Sequence, residues 1–154
     1  MFGIKIIYSS ITYLIKYITH NNWQLLADET NIILHNKASD LLMNYENEVP
    51  EDIRKMILLC SIKEIHELYK SKKVTAKQVL ISFVLQTCKI GISHNLITDI
   101  NLTKALLQAE NADNIIKSNI NQKDWPELLG IPISIKDHIH VEGFVSDLHL
   151  LEII

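Results

Sequence analysis

The sequence predicts an α/β chain that is largely helical, with one or two short strands at about 96–100 and 130–136. Two capping-box patterns, Ser61-Ile62-Lys63-Glu64 and Thr75-Ala76-Lys77-Gln78, each open an apolar run at helical spacing. The run Gly130-Ile131-Pro132-Ile133-Ser134-Ile135-Lys136 begins with a turn-former, and its β-branched residues favour an extended backbone. Hydrophobic residues fill 47% of the 154 positions, enough for one compact core.

The first 22 residues form an apolar leader. Lys5 and Lys16 bracket an apolar stretch shorter than the roughly 18–20 residues a spanning helix needs, and no convincing cleavage site follows. A docked helix or a wrongly assigned gene start is expected there, with a signal-like or interfacial segment as the alternative, and no membrane association. Residues 23–50 have a mixed helical pattern that the polar stretch Asn44 to Pro50 ends. Pro50, Glu51 and Asp52 then open a helix over Glu51 to Leu59, because proline suits a first turn and acids complement the positive end of the helix dipole. The Ser61 capping box starts a second helix with Ile62, Ile65, Leu68 and Tyr69 on one face, stopping near Lys72.

After Thr75, residues Val79, Leu80, Phe83, Val84, Thr87 and Cys88 recur at spacings of three and four, and Ile81 and Leu85 widen the stripe, so this helix should be deeply packed. Asn95 to Ile100 suggests a short strand; Leu102, Ala105, Leu106, Ala109, Ala112 and Ile116 then mark another amphipathic helix. The polar stretch Asn119 to Glu127, with Trp125-Pro126, reads as a surface connection to the Gly130 strand. A second extended piece, Ile139 to Val141, precedes a turn at Gly143. The expected organisation is a leader (1–22), a mixed helical segment (23–50), a main body (51–143) and a divergent tail (144–154).

Composition narrows the chemistry. The net charge is −3, from 15 basic and 18 acidic residues, and neither sign gathers into a block that would follow phosphates, so no nucleic-acid partner is expected. Only four glycines occur, with no phosphate-cradling loop or nucleophile elbow among them, and no cofactor is implied. Cys60 and Cys88 sit in apolar helical patterns and read as buried thiols of a reducing, cytoplasmic compartment. His138 and His140 alternate along an extended segment, but no third ligand is spaced to complete a metal site. Asp137 reads as a strand-end polar residue, His66 and His94 as helix-face and loop histidines, and Tyr69 and Phe83 as core. Lys136 stands out, because a lysine closing a core strand is either a snorkelling cation or a base tuned by burial.

The segments Leu68-Tyr69-Lys70-Ser71-Lys72-Lys73-Val74-Thr75-Ala76, Ala105-Leu106 to Ala112-Asp113, and Leu129-Gly130-Ile131-Pro132-Ile133-Ser134-Ile135-Lys136-Asp137 together resemble the opening region of the amidase signature family. The resemblance covers roughly Ile53 to Gly143 and implies the N-terminal, largely helical part of a mixed sheet wrapped by helices. Enzymes of this family hydrolyse carboxylic amides through a serine nucleophile, a second serine beside a cis peptide bond, and a lysine whose position Lys136 occupies. Ser93-His94-Asn95 with Leu96 to Ile100 is similar to the fungal acetamidase-like branch, and an amidotransferase component that works on charged transfer RNA is the related alternative. The family's serines lie in a downstream Gly/Ser-rich segment, whereas this sequence ends at Ile154; Ser9, Ser10 and Ser134 are no substitutes. The expectation is a truncated member or gene-model fragment that keeps only the lysine and has no hydrolytic activity alone, its full-length form acting on a small-molecule amide. The alternative is a non-catalytic remnant or helical interaction module whose Ile131 to Ile135 edge seeks a partner strand.

Overall fold

The computed structural model describes residues 28–29, 31–94, 96–118, 124–136, 139 and 141. The chain divides into two units, Met1–Lys37 and Ala38–Ile154. In the first, residues 28–29 and 31–37 are helical. The second opens with helix α1 over 38–45, a turn over 46–48, and then α2 (Glu51–Leu59), α3 (Ile62–Lys70), α4 (Ala76–Gln86), a single π turn (Thr87–Gly91) and α5 (Leu102–Lys117).

Each helix end has an identifiable cause. Pro50 takes the N-cap position of α2 with φ −52°, and Glu51 and Asp52 fill its first turn. At α3 the Ser61 amide donates to Glu64 Oε2 at 2.7 Å while the Glu64 amide donates to Ser61 Oγ at 3.4 Å, the reciprocal capping box. Its far end closes as a Schellman motif: the Lys73 amide donates to Leu68 O and the Lys72 amide to Tyr69 O, each at 3.0 Å, with Lys72 at φ +54°. The left-handed position that usually falls to glycine is held here by a lysine. Ile65 and Tyr69 of α3 are buried and Leu68 half-buried, whereas Ile62 is exposed, so the buried face is narrower than the spacing suggests.

Helix α4 is the centre of the body and packs against both α2 and α5. Ala76, Val79, Leu80, Ile81, Ser82 and Leu85 are all buried, and Ser82 Oγ donates to Gln78 O at 2.8 Å, satisfying the one hydroxyl that goes under with them. Beyond Gln86 the helix widens: the Ile92 amide bonds Thr87 O at 3.1 Å and the Leu96 amide bonds Gly91 O at 2.8 Å, both five residues back. A Cβ on Gly91 would stand 3.0 Å from Ile97 Cγ1, so the bare backbone is what lets Ile97 fold over the turn. Asn101 caps α5 by accepting from the Lys104 amide at 3.2 Å. The small residues Ala109 and Ala112, with Leu102, bring α5 close to α4.

The main core gathers Ile57, Ile65, Tyr69, Val74, Val79, Leu80, Leu102, Ala109, Ala112 and Leu129, and a smaller cluster joins Val49, Ile81 and Leu85. Cys88 is buried and Cys60 half-buried, both as free thiols; burial raises both thiols above their ordinary pKa.

The expected α/β class is not what forms: among the described residues there are helices, turns and irregular backbone, and no strand. Residues 96–100 are an irregular link in which the Leu96 amide turns back to Gly91 O and the Leu96 side chain is 71% exposed. Residues 130–136 begin in turns, with the Leu129 amide bonded to Pro126 O at 3.0 Å and the Ile131 amide to Leu128 O at 3.1 Å, and run on without a neighbouring strand among the described residues. β-Branched residues express a fit to a pleated, half-buried surface and not a backbone preference of their own. Without a neighbour to take its N–H and C=O groups, such a run does not become a strand. The leader over 1–22, Asp137, His138, His140, Gly143 and the tail over 144–154 lie outside the described residues.

Candidate functional site

The described end of the expected surface connection, 124–127, and the residues 128–131 that follow it are fastened to α3 and the start of α4. Tyr69 is 1% exposed, and burial, reinforced by the charge of Asp113, pushes its hydroxyl far above the usual phenol range. Neutral at ordinary pH, it donates to Gly130 O at 2.8 Å. Gly130 has φ +70°, and a Cβ there would stand 3.0 Å from Ala76 Cβ, 3.1 Å from Tyr69 Oη and 3.2 Å from Tyr69 Cε2. Both conformation and space demand glycine. One residue earlier, Leu129 is buried and its carbonyl lies 3.3 Å from His66 Nε2. A carbonyl only accepts, so Nε2 carries the hydrogen. Trp125 meets the His66 ring edge-on at 6.2 Å, and its Nε1 is buried without a partner among the described residues.

Under this junction lies a buried carboxylate. Asp113 of α5, 8% exposed, accepts from the Ala76 amide at 2.7 Å and the Lys77 amide at 3.3 Å. The Gln78 amide goes to Thr75 Oγ1 at 3.1 Å and the Val79 amide to Thr75 O at 3.0 Å. Every free donor of the first turn of α4 thus has a partner from this chain, which closes that helix end to an external anion.

Lys136 ends the irregular segment 131–136 and is exposed, as are Ile133, Ser134 and Ile135. Its carbonyl accepts from the Ile139 amide at 2.9 Å. Among the described residues, no hydroxyl or carboxylate faces its amine. Ser93 and His94 stand side by side on the surface, with Ser93 Oγ 3.1 Å from His94 Nδ1, but both atoms also turn to Ile90 O, at 2.9 Å each. That carbonyl takes the imidazole hydrogen, which leaves Nδ1 unable to draw a proton from the serine. His66 serves the junction, and Phe83 is half-buried against the core. Among the described residues, no group of three or more His, Cys, Asp or Glu side chains could hold a metal ion.

Asp113 and Trp125 were not among the residues the sequence singled out for a role. A signal for Asp113 is present: it falls four residues after Ala109, on the apolar stripe of α5, where a carboxylate must be satisfied to be buried. Nothing in the local sequence announces that its partners lie at the start of α4.

No family model and no solved structure matches the chain. The chain is 37% identical over 84 residues to the A subunit of Glutamyl-tRNA(Gln) amidotransferase from Persephonella marina, a stretch covering 54% of this chain and 16% of that protein. This similarity supports an amidase-signature origin for the matched part. It falls on an amidotransferase and gives no support to the acetamidase-like branch. Among the described residues, no helix is long and apolar enough to cross a membrane.

Proposed function

We propose that this chain is a portion of an amide-processing enzyme of the amidase signature type, with Lys136 as the lysine of its Ser-cisSer-Lys set. The observation that carries this is the 84-residue similarity to the Persephonella amidotransferase, together with the run Gly130-Ile131-Pro132-Ile133-Ser134-Ile135-Lys136, which ends in the lysine such chemistry requires. The substrate would be a small-molecule amide, of the acetamide kind or the amide donor of an amidotransferase, processed in the cytoplasm.

The chemistry sets a condition on the site. A lysine acts as general base only when neutral, and an ammonium loses its proton near neutrality only when desolvated or set beside another cation. Lys136 is exposed, so a serine-bearing segment laid over the 131–136 arm must supply the burial. In that assembly the amine takes a proton from the bridging serine, which takes one from the nucleophilic serine as its oxygen bonds the amide carbonyl carbon. The C–N bond then breaks, the amine leaves with a proton, and water releases the acid from the acyl-enzyme.

The test is a hybrid in which the matched segment and the 130–136 arm replace their counterparts in the Persephonella protein. Amide hydrolysis by the hybrid should fall about 100- to 10,000-fold on Lys136→Ala, the range a general base contributes. A folded, active hybrid indifferent to Lys136→Ala would remove the lysine from the mechanism. The 154-residue chain alone should release no ammonia from acetamide. The exposure of Lys136 favours a second reading, a non-catalytic helical module, and a folded but inactive hybrid is its expected outcome.

A further inference from the structure

We propose that Tyr69 is a positioning residue for Lys136: its hydroxyl, bonded to the Gly130 carbonyl, fixes the point and direction from which the 131–136 arm leaves the helical body. The proposal deepens the reading of Lys136 given above and rests on it for its chemical meaning.

Three features make this bond a reference point. Tyr69 is itself packed within the main cluster, 1% exposed. Its partner sits at a backbone position with no slack, since Gly130 holds φ +70° with Ala76 and Tyr69 both within contact of its missing Cβ. The neighbouring His66–Leu129 bond and the packing of Ile131 on the core hold the two adjacent residues. Beyond Ile131 the chain turns outward, and Ile133, Ser134, Ile135 and Lys136 are all exposed. Among the described residues, the last hydrogen bonds joining the arm to helices before Lys136 are those at Leu129 and Gly130.

The arm that starts there is stiff. Ile131 precedes a proline, which biases it to extended backbone, Pro132 has a fixed φ, and Ile133 and Ile135 are β-branched. At about 3.3–3.6 Å per residue such a segment reaches roughly 20 Å. A rotation of about 10° at its root therefore displaces its tip by about 3–4 Å, and misplacement of a catalytic group by about 1 Å already costs on the order of 100-fold in rate. A hydroxyl remote from the amine thereby controls where the amine stands.

The experiment measures position directly, without using activity. Spin labels at Thr103→Cys on α5 and Lys136→Cys, in the full chain carrying Cys60→Ser and Cys88→Ala, give a distance distribution by pulsed electron resonance. Tyr69→Phe should shift its centre by about 3 Å or more, the displacement expected of a roughly 10° rotation at the root of an extended arm, or at least double its width. Ser61→Ala, which loosens the α3 cap at a distance from the junction, should leave it unchanged and so separates positioning from general destabilisation. Gly130→Ala is the second variant, disturbing the same root through the backbone, and should reproduce the effect of Tyr69→Phe. An unchanged distribution in folded Tyr69→Phe or folded Gly130→Ala protein overturns the proposal. In a hybrid that loses activity on Lys136→Ala, Tyr69→Phe should lower kcat by about 100-fold or more with KM unchanged, and an unchanged kcat there would also overturn it. Insensitivity of that hybrid to Lys136→Ala sinks the amidase reading alone, since the distance measurement does not depend on it.

Discussion

Asp113 offers the sharpest test of how the helical body is held together. Replacing it with alanine strips the Ala76 amide of its 2.7 Å acceptor, and Ala76 is 0% exposed, so water cannot take over. An orphaned buried donor costs about 1–3 kcal/mol, and losing a negative charge at a helix N-terminus adds about 0.3–1 kcal/mol. The Lys77 amide contributes less, because its bond is long at 3.3 Å and Lys77 is half-buried. The expected loss for Asp113→Ala is therefore about 2–3 kcal/mol, which lowers the urea midpoint by roughly 1–2 M for a protein of this size. Asp113→Asn keeps one acceptor oxygen for the Ala76 amide and loses the charge together with the acceptor of the longer Lys77 bond, so it should cost about 1 kcal/mol, less than the alanine. The assay is urea unfolding followed by circular dichroism on the two variants and the parent chain. A loss below about 0.5 kcal/mol for Asp113→Ala, or equal losses for the two variants, would show that the carboxylate does not cap α4 as argued.

Other outcomes follow from single features. Lys72→Gly should stabilise the chain by about 0.5–1 kcal/mol, because φ +54° at that position strains any residue with a Cβ; a lower urea midpoint would contradict this. Trp125→Phe should cost less than about 1 kcal/mol despite the lost ring volume, because it also removes a buried indole N–H with no partner among the described residues, and a loss above about 2 kcal/mol would mean that the N–H is satisfied. Tyr69 predicts an alkaline limit to stability. Its pKa is raised in the folded chain above the ordinary 10.0, so the folded state holds a proton that the unfolded state releases. The contribution is fully present below about pH 10 and is lost as pH climbs from there toward the folded value, a decline that Tyr69→Phe should flatten in pH-dependent melting.

Local signals were legible where structure is local. The capping boxes at Ser61 and Thr75, the proline start of α2, the end of α3 near Lys72 and the apolar stripes of α4 and α5 follow from residues within one or two turns of each other. The strands failed because extended structure is not a local property: Ile131, Ile133 and Ile135 carry the right propensity, but their hydrogen bonds depend on a neighbour that no local pattern supplies. The widening at Thr87–Gly91 was equally invisible, because an apolar stripe has the same look whether the last turn closes four or five residues back. At the candidate site, the glycine and the lysine were readable as types. The Tyr69 to Gly130 bond and the Asp113 caps join residues far apart in the chain, and no pattern in either segment names the other.

The exposure of Ile133 and Ile135 follows from how completely the helices satisfy themselves. Asp113 and Thr75 close the start of α4, Ser61 and Glu64 the start of α3, and the carbonyls of Leu129 and Gly130 are taken by His66 and Tyr69. Apart from the buried Trp125 Nε1, these junction groups are taken up within the body, and the arm leaves it with Ile133 66% exposed. Burying two isoleucines is worth about 1.5–3 kcal/mol each relative to exposure, a gain open to any segment that pairs with this arm. In an extended arm Ile133 and Ile135 share one face and Lys136 falls on the opposite one. A segment that covers only the isoleucines therefore leaves the amine in water, and one that serves the role proposed for Lys136 must close over both faces of the arm.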